Sequence, residues 1–177
     1  VLLYHADNFF EAEDYYNALL NYQGALSDSI GLQDVTIPYE ITTGKLKIKD
    51  SEGRDLDTAS TVPLKDYIEH QIAECYLRTY DYRKAVNHFE YTSSFKSYPE
   101  DVYYHGVAQM NTGNHREAVK LFDQYIASDN FSDSLLRSAQ LLITGCYYAM
   151  DSTHLHDKIV VELMDTNTIN KGTASFA

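Results

Sequence analysis

Histidine and cysteine are the residues of this 177-residue chain whose types could support metal binding or nucleophilic catalysis. The closest pair among the seven histidines is His154 and His156. Residues two apart on a helix point to different sides, so this pair could share a metal ion only within a turn. No cysteine or acidic pair with ligand spacing stands beside them. The sequence therefore predicts no metal site and no cofactor.

Cys75 is the candidate nucleophile, because His70 and His88 lie near it in the sequence. His70 comes five positions earlier and falls on the wrong helix face, and a cysteine inside a packed helical pattern is usually inert. Cys146 also lies in a helical pattern. The sequence has no glycine-rich phosphate loop, no serine elbow and no HExxH motif. We therefore expect no enzymatic activity and two buried, free thiols.

The charge balance restricts the class of partner. The formal net charge is −12 and the sequence pI is about 4.8, so the phosphates of a nucleic acid would be repelled. No apolar run approaches the roughly 18–20 residues that a membrane span needs. We expect a protein partner, no nucleic acid, and membrane contact only through other parts of the protein.

One pattern occurs twice between Ile72 and Phe122, at an offset of 33 residues. The copies read IAECYLRTYDYRKAVNHF and HGVAQMNTGNHREAVKLF. In each copy a small residue is followed after twelve positions by alanine, and four positions later by phenylalanine: Ala73, Ala85 and Phe89, then Gly106, Ala118 and Phe122. Two antiparallel helices pack closely only if small side chains occupy their crossing point. The pattern therefore predicts consecutive helical hairpins.

The period and the residue types resemble the tetratricopeptide repeat, a helix–turn–helix unit that stacks into a solenoid. The resemblance implies an all-α, right-handed superhelix of about four helix pairs. Repeats are predicted at residues 1–27, 64–97, 99–129 and, in degenerate form, 131–165. Residues 166–177 are interpreted as a linker toward a further domain. A generic helical bundle is the alternative fold.

The first and last repeats follow the pattern less closely. Residues 1–27 place Ala6 and Ala18 at the small positions, Tyr22 at the aromatic position and Tyr15 at the turn. In the last unit Gly145 and Tyr148 are assigned to the small and aromatic positions. Asp157 and Val161 then stand where alanine and phenylalanine are expected, and such drift suits a terminal unit that receives no neighbour.

Residues 28–63 interrupt the repeats. The runs VTIPYEI and KLKIK flank Thr42-Thr43-Gly44 and predict a β-hairpin. Pro38 within the first run favours an edge or irregular strand. This insertion offers a second contact surface beside the helices.

A concave groove lined by the first helix of each repeat is the candidate partner-binding site. Tyrosine suits such a surface because it offers a large apolar area with a polar tip. The alternative interpretation is a solvated acidic face with ordinary tyrosines. The candidate residues are Asp7, Glu11, Tyr67, His70, Glu74, Arg78, Tyr103, Tyr104 and Asn111.

A narrower resemblance rests on QIAECYLRTYDYRKAVNHFE, VYYHGVAQMNTGNHREAVKLFDQYI, the insertion and the NKGTASFA tail. These are similar to the N-terminal region of Bacteroidetes envelope proteins that continue into a PD40-type β-propeller and an OmpA-like domain. Some of these proteins belong to the type IX secretion or gliding machinery. The resemblance implies a periplasmic scaffold associated with the outer membrane, with peptidoglycan bound by a missing domain. An outer-membrane protein assembly lipoprotein and a SusD-like glycan-binding protein are the alternatives.

Overall fold

The computed structural model describes residues 1–28, 36–38, 61–94, 98–128, 133–150 and 158–161. These ranges contain α1 (Leu2–Glu11), α2 (Tyr15–Asp28), β1 (Thr36–Pro38), β2 (Thr61–Pro63), α3 (Leu64–Arg78), α4 (Tyr82–Thr92), α5 (Asp101–Asn111), α6 (His115–Ile126) and α7 (Asp133–Ala149). Residues 158–161 form a further helical turn. The chain divides into two compact units, Val1–Asp101 and Val102–Ala177.

Unit 1 contains two helical hairpins. Helix α1 packs on α2, α3 packs on α4, and α2 also contacts α3. Between the hairpins, β1 pairs with β2 in an antiparallel register that places Ile37 opposite Val62. The strand that contains Pro38 is therefore joined to the residues just before α3. The predicted hairpin partner at 45–49 lies outside the described residues, so the hairpin stays a prediction.

The repeat register coincides with the best-buried positions of both units. Eight small and aromatic residues of this register have no exposed surface: Ala6, Ala18, Tyr22, Ala73, Ala85, Phe89, Ala118 and Phe122. Gly106 is buried as well. A Cβ atom added to Gly106 would lie 2.7 Å from the Phe122 ring, so α5 and α6 approach as closely as a glycine allows. The first three predicted helical hairpins are confirmed, whereas the fourth helix pair and the right-handed superhelix stay predictions.

The three hairpin turns share one backbone motif. Glu13, Tyr80 and Gly113 each have a positive φ, at 59°, 62° and 87°. In the first turn Asp14 N–H donates to the Phe9 carbonyl and Glu13 N–H to the Phe10 carbonyl, and the other two turns repeat both bonds. These bonds define the Schellman motif, which satisfies the last carbonyls of a helix. The predicted turn residue Tyr15 is one position too late, because it begins α2.

Unit 2 is built on an apolar cluster that α5, α6 and α7 share. Its fully buried or nearly buried members include Phe122, Tyr125, Ala139 and Cys146. Ile159, in the helical turn at 158–161, packs against the same cluster. These contacts place α7 directly against α6.

The assignment of Gly145 and Tyr148 to packed positions of the last repeat is wrong. Gly145 has open space around it, and Tyr148 is 67% exposed. Ala139, which follows Gly106 by 33 residues, is the buried small residue of α7. Val161, assigned to an aromatic position, is also exposed, and Asp157 lies outside the described residues. The buried face of α7 runs through Ala139 and Cys146, so it turns Gly145 outward.

Candidate functional site

The candidate residues of unit 1 lie on α1 and α3, the first helices of its two hairpins. Asp7 is central among them, because its Oδ1 accepts hydrogen bonds from the hydroxyls of Tyr22 and Tyr67, both at 2.7 Å. Gln71 Nε2 donates to the same two hydroxyls, at 2.8 Å and 3.3 Å. We call these four residues the Asp7 network. It joins α1, α2 and α3 through one carboxylate oxygen.

The chemistry of the Asp7 network is set by burial. Tyr22 has no exposed surface and Tyr67 is buried. Burial raises the pKa of both phenols, and the neighbouring Asp7 carboxylate raises both further. The two phenols therefore stay protonated and act as hydrogen-bond donors at any physiological pH. They position α1 against α3 and have no role as acids or bases.

His70 and Glu74, one turn apart on α3, make separate polar contacts. His70 Nδ1 lies 2.9 Å from Asp101 Oδ1, and its ring stacks on Tyr98 with centroids 3.9 Å apart. We call His70, Tyr98 and Asp101 the His70 clasp. Glu74 accepts a hydrogen bond from Arg78 Nε at 3.2 Å. The Glu74 side chain is 7% exposed and that of Arg78 is 51% exposed.

The candidate residues of unit 2 lie on α5 and differ in exposure. Tyr103 is buried in the apolar cluster, its ring 5.7 Å from both Phe122 and Tyr125. Tyr104 is partly buried and packs against the same cluster. Asn111 is exposed, and its side chain donates to the Val107 carbonyl at 2.8 Å.

The structure changes which predicted residues could touch a partner. Tyr67, Glu74 and Tyr103 are buried, so they support the surface from below and do not offer open contacts. Asp7 is partly buried, and its carboxylate already accepts hydrogen bonds from tyrosine hydroxyls. Three residues stay exposed, and each is the last residue of the first helix in its hairpin: Glu11 of α1, Arg78 of α3 and Asn111 of α5.

Sequence reasoning missed Gln71, Tyr98 and Asp101 as members of this site. Gln71 follows Tyr67 by four positions, so helix periodicity placed it on the same face. Asp101 is the first residue of α5. Its contact with His70 spans 31 residues, and no local pattern signals such a pairing.

The cysteines behave as buried structural residues. Both Cys75 and Cys146 are free and buried, as predicted. Burial raises the pKa of the Cys75 thiol to about 12, and the nearby Glu74 charge raises it further. Burial also raises the pKa of Cys146. Thiols protonated at neutral pH are poor nucleophiles.

In the part of the chain that the structure describes, no three histidine, cysteine or acidic side chains come together as a metal site would require. The predicted His154 and His156 pair lies outside that part. Among the same residues, no helix has the length and apolar character to cross a bilayer.

Comparison with known proteins bears on the hairpin of α5 and α6. Residues 102–129 match the family model of the tetratricopeptide repeat. The match and the consecutive helical hairpins support a tetratricopeptide repeat domain. No curated protein sequence and no solved structure matches the chain. Tetratricopeptide repeats are typically non-catalytic modules that bind protein partners.

Proposed function

We propose that the chain is a non-catalytic scaffold that binds a protein partner on the exposed ends of its first helices. The observation that carries this proposal is the shared position of Glu11, Arg78 and Asn111, each of which ends such a helix and is exposed. Repeat proteins present equivalent positions of successive repeats to one extended ligand. Glu11 and Arg78 offer two such solvent-accessible polar groups within unit 1, and Asn111 holds the equivalent position in unit 2.

The networks beneath these positions support the same function. A binding surface gains affinity when its geometry exists before the partner arrives, because less ordering is needed. In unit 1 the Asp7 network fixes α1, α2 and α3, and the Glu74 carboxylate orients the Arg78 guanidinium. Residues 1–27 contain no lysine or arginine, while Asp7, Glu11, Glu13 and Asp14 are acidic. A basic partner segment would complement this end of unit 1.

We place this scaffold in a bacterial cell-envelope complex, in the periplasm and associated with the outer membrane. The support is the similarity of the two quoted helical stretches, the insertion and the tail to Bacteroidetes envelope proteins with a propeller and an OmpA-like domain. Sequence beyond Ala177 tests this assignment. A propeller and an OmpA-like module are expected there, and termination soon after Ala177 would contradict the assignment.

Charge reversal at Glu11 tests the binding surface. Capture from a bacterial envelope extract first identifies the partner, which is then purified and titrated by calorimetry. Glu11→Lys is expected to weaken binding about threefold to tenfold, because it places a like charge against a basic segment. Glu90→Lys is the matched control, since Glu90 is also exposed in unit 1 but lies on α4, a second helix.

The binding affinity of Glu11→Lys is compared with that of a variant that lacks the insertion. Replacing residues 39–60 with a short glycine–serine linker keeps both described strands and removes the insertion between them. Suppose that this variant loses binding while Glu11→Lys binds the partner as tightly as Glu90→Lys. The contact surface would then be the insertion and not the helix ends. The earlier candidates Asp7 and Glu74 are unsuitable for charge reversal, because both have structural partners.

A further inference from the structure

The His70 clasp joins the middle of α3 to the segment that leads into α5. Asp101 begins α5 and has no exposed surface, and Tyr98 is buried as well. The two carboxylate oxygens of Asp101 lie 2.9 Å and 3.0 Å from His70 Nδ1. The rings of His70 and Tyr98 are nearly parallel, at an interplanar angle of 5°. A buried carboxylate is costly unless it is paired, and the imidazolium supplies the pairing charge.

We propose that the His70 clasp is a pH-sensitive lock, in which protonated His70 holds residues 98–101 against α3 and deprotonated His70 holds them less firmly. The proposal rests on the contacts within unit 1 and does not depend on the identity of any partner. In this lock, the local stability of the start of α5 depends on pH.

The charges around His70 favour its protonated form. Burial disfavours the imidazolium and by itself lowers the His70 pKa. The hydrogen bond and charge of Asp101, with the charges of Glu74 and Glu100, outweigh burial and raise the pKa above its ordinary value of 6.5. Tyr98 stacks on the ring and Asp101 pairs with it, while the charges of Glu74, on α3, and of Glu100 also act on the imidazole.

Deprotonation removes the charge of His70 and keeps its hydrogen bond. An ionised carboxylate only accepts hydrogen bonds, so Nδ1 carries a proton in both forms and Nε2 is the nitrogen that titrates. A charge-assisted hydrogen bond is roughly twice as strong as a neutral one. Because the folded pKa is raised, the stabilisation is complete below pH 6.5 and declines as the pH rises through the folded pKa.

Nuclear magnetic resonance on the whole chain tests the lock. The imidazole signals of His70 should titrate with a pKa above 6.5. The Asp101 amide, which donates to the Tyr98 carbonyl at 3.0 Å, reports the local stability through hydrogen exchange. Corrected for intrinsic exchange, its protection should fall from pH 6 to pH 9 by about tenfold for each unit by which the His70 pKa exceeds 6.5.

Two asparagine variants provide the matched comparison. In His70→Asn, the side-chain amide can replace the Nδ1–H donor but cannot titrate in this range, so the pH dependence of Asp101 protection should disappear. His88→Asn is the control, because His88 Nδ1 also pairs with a carboxylate, Glu69 at 2.8 Å, and its ring stacks on Tyr76. It should leave the Asp101 profile unchanged. A His70 pKa at or below 6.5 in the unaltered protein, or an unchanged profile in His70→Asn, would overturn the proposal.

Discussion

Asp7→Ala is expected to lower the free energy of unfolding by about 2–4 kcal/mol. The substitution removes the single oxygen that accepts from both Tyr22 and Tyr67. The two hydroxyls then lose a charged acceptor in a place where Tyr22 has no exposed surface. A hydrogen bond to a charged group contributes about 1.5–3 kcal/mol, and the partial exposure of Asp7 lets water replace some of that. Urea unfolding followed by circular dichroism measures the change.

Two variants separate the hydrogen bonds from the charge and from helix propensity. Asp7→Asn keeps an accepting Oδ1 and should lose less than half as much stability as Asp7→Ala. Glu11→Ala, one turn away on the same helix and exposed, should change stability by less than about 0.5 kcal/mol. An Asp7→Ala protein as stable as Glu11→Ala would show that the Asp7 network does not stabilise unit 1.

Gly106→Ala is expected to lower the free energy of unfolding by about 1–3 kcal/mol. The added Cβ would meet two atoms of the Phe122 ring at 2.7 Å and 2.9 Å, well inside normal contact. Phe122 has no exposed surface, so the ring can move away only by displacing other core residues. This overpacking cost exceeds the gain in helix propensity from alanine, which is at most about 1 kcal/mol.

Gly145→Ala is the matched control for Gly106→Ala. Gly145 lies within α7 of the same unit, and an added Cβ there meets no atom within 4 Å. We expect this substitution to stabilise the protein by about 0.5–1 kcal/mol, because glycine is the poorer residue inside a helix. Equal effects of the two substitutions in thermal unfolding would contradict the close contact of α5 with α6.

The packing positions were predictable because they follow from contacts between neighbouring helices. Ala73 and Ala85 belong to one hairpin, and close crossing of its two helices restricts both positions to small side chains. The same spacing separates Ala6 from Ala18 and Gly106 from Ala118, so one hairpin locates the packed positions of the other two. The left-handed turn residues are harder to predict. Gly113 suits its position, but Glu13 and Tyr80 adopt a backbone conformation that those residue types rarely favour.

The last repeat was misassigned because two small residues compete in α7. Ala139 and Gly145 are six residues apart, and only Ala139 keeps the 33-residue offset from Gly106. Gly145 was chosen because Tyr148 follows it closely and suggested the aromatic position of the repeat. The length of α7, 17 residues, explains the error, since the helix extends well past its buried small residue.

The sequence predicts which helix face carries each polar side chain, but not whether that side chain is buried or exposed. Helix periodicity places Asp7 on the same side of α1 as Glu11, and Glu74 on the same side of α3 as Arg78. Whether that side is open depends on residues distant in sequence, such as Tyr67, which reaches Asp7 across 60 residues. A single sequence carries no local signal for such a contact, so the candidate groove combined buried supporting residues with exposed ones.

Site-specific photocrosslinking tests the proposed binding surface most directly. A benzophenone amino acid would replace Glu11, Arg78 or, as the control, Glu90, and each protein would be irradiated with its purified partner. We predict crosslinks to one short segment of the partner from positions 11 and 78, and none above background from position 90. Crosslinking at position 90 that equals or exceeds that at positions 11 and 78 would contradict the account.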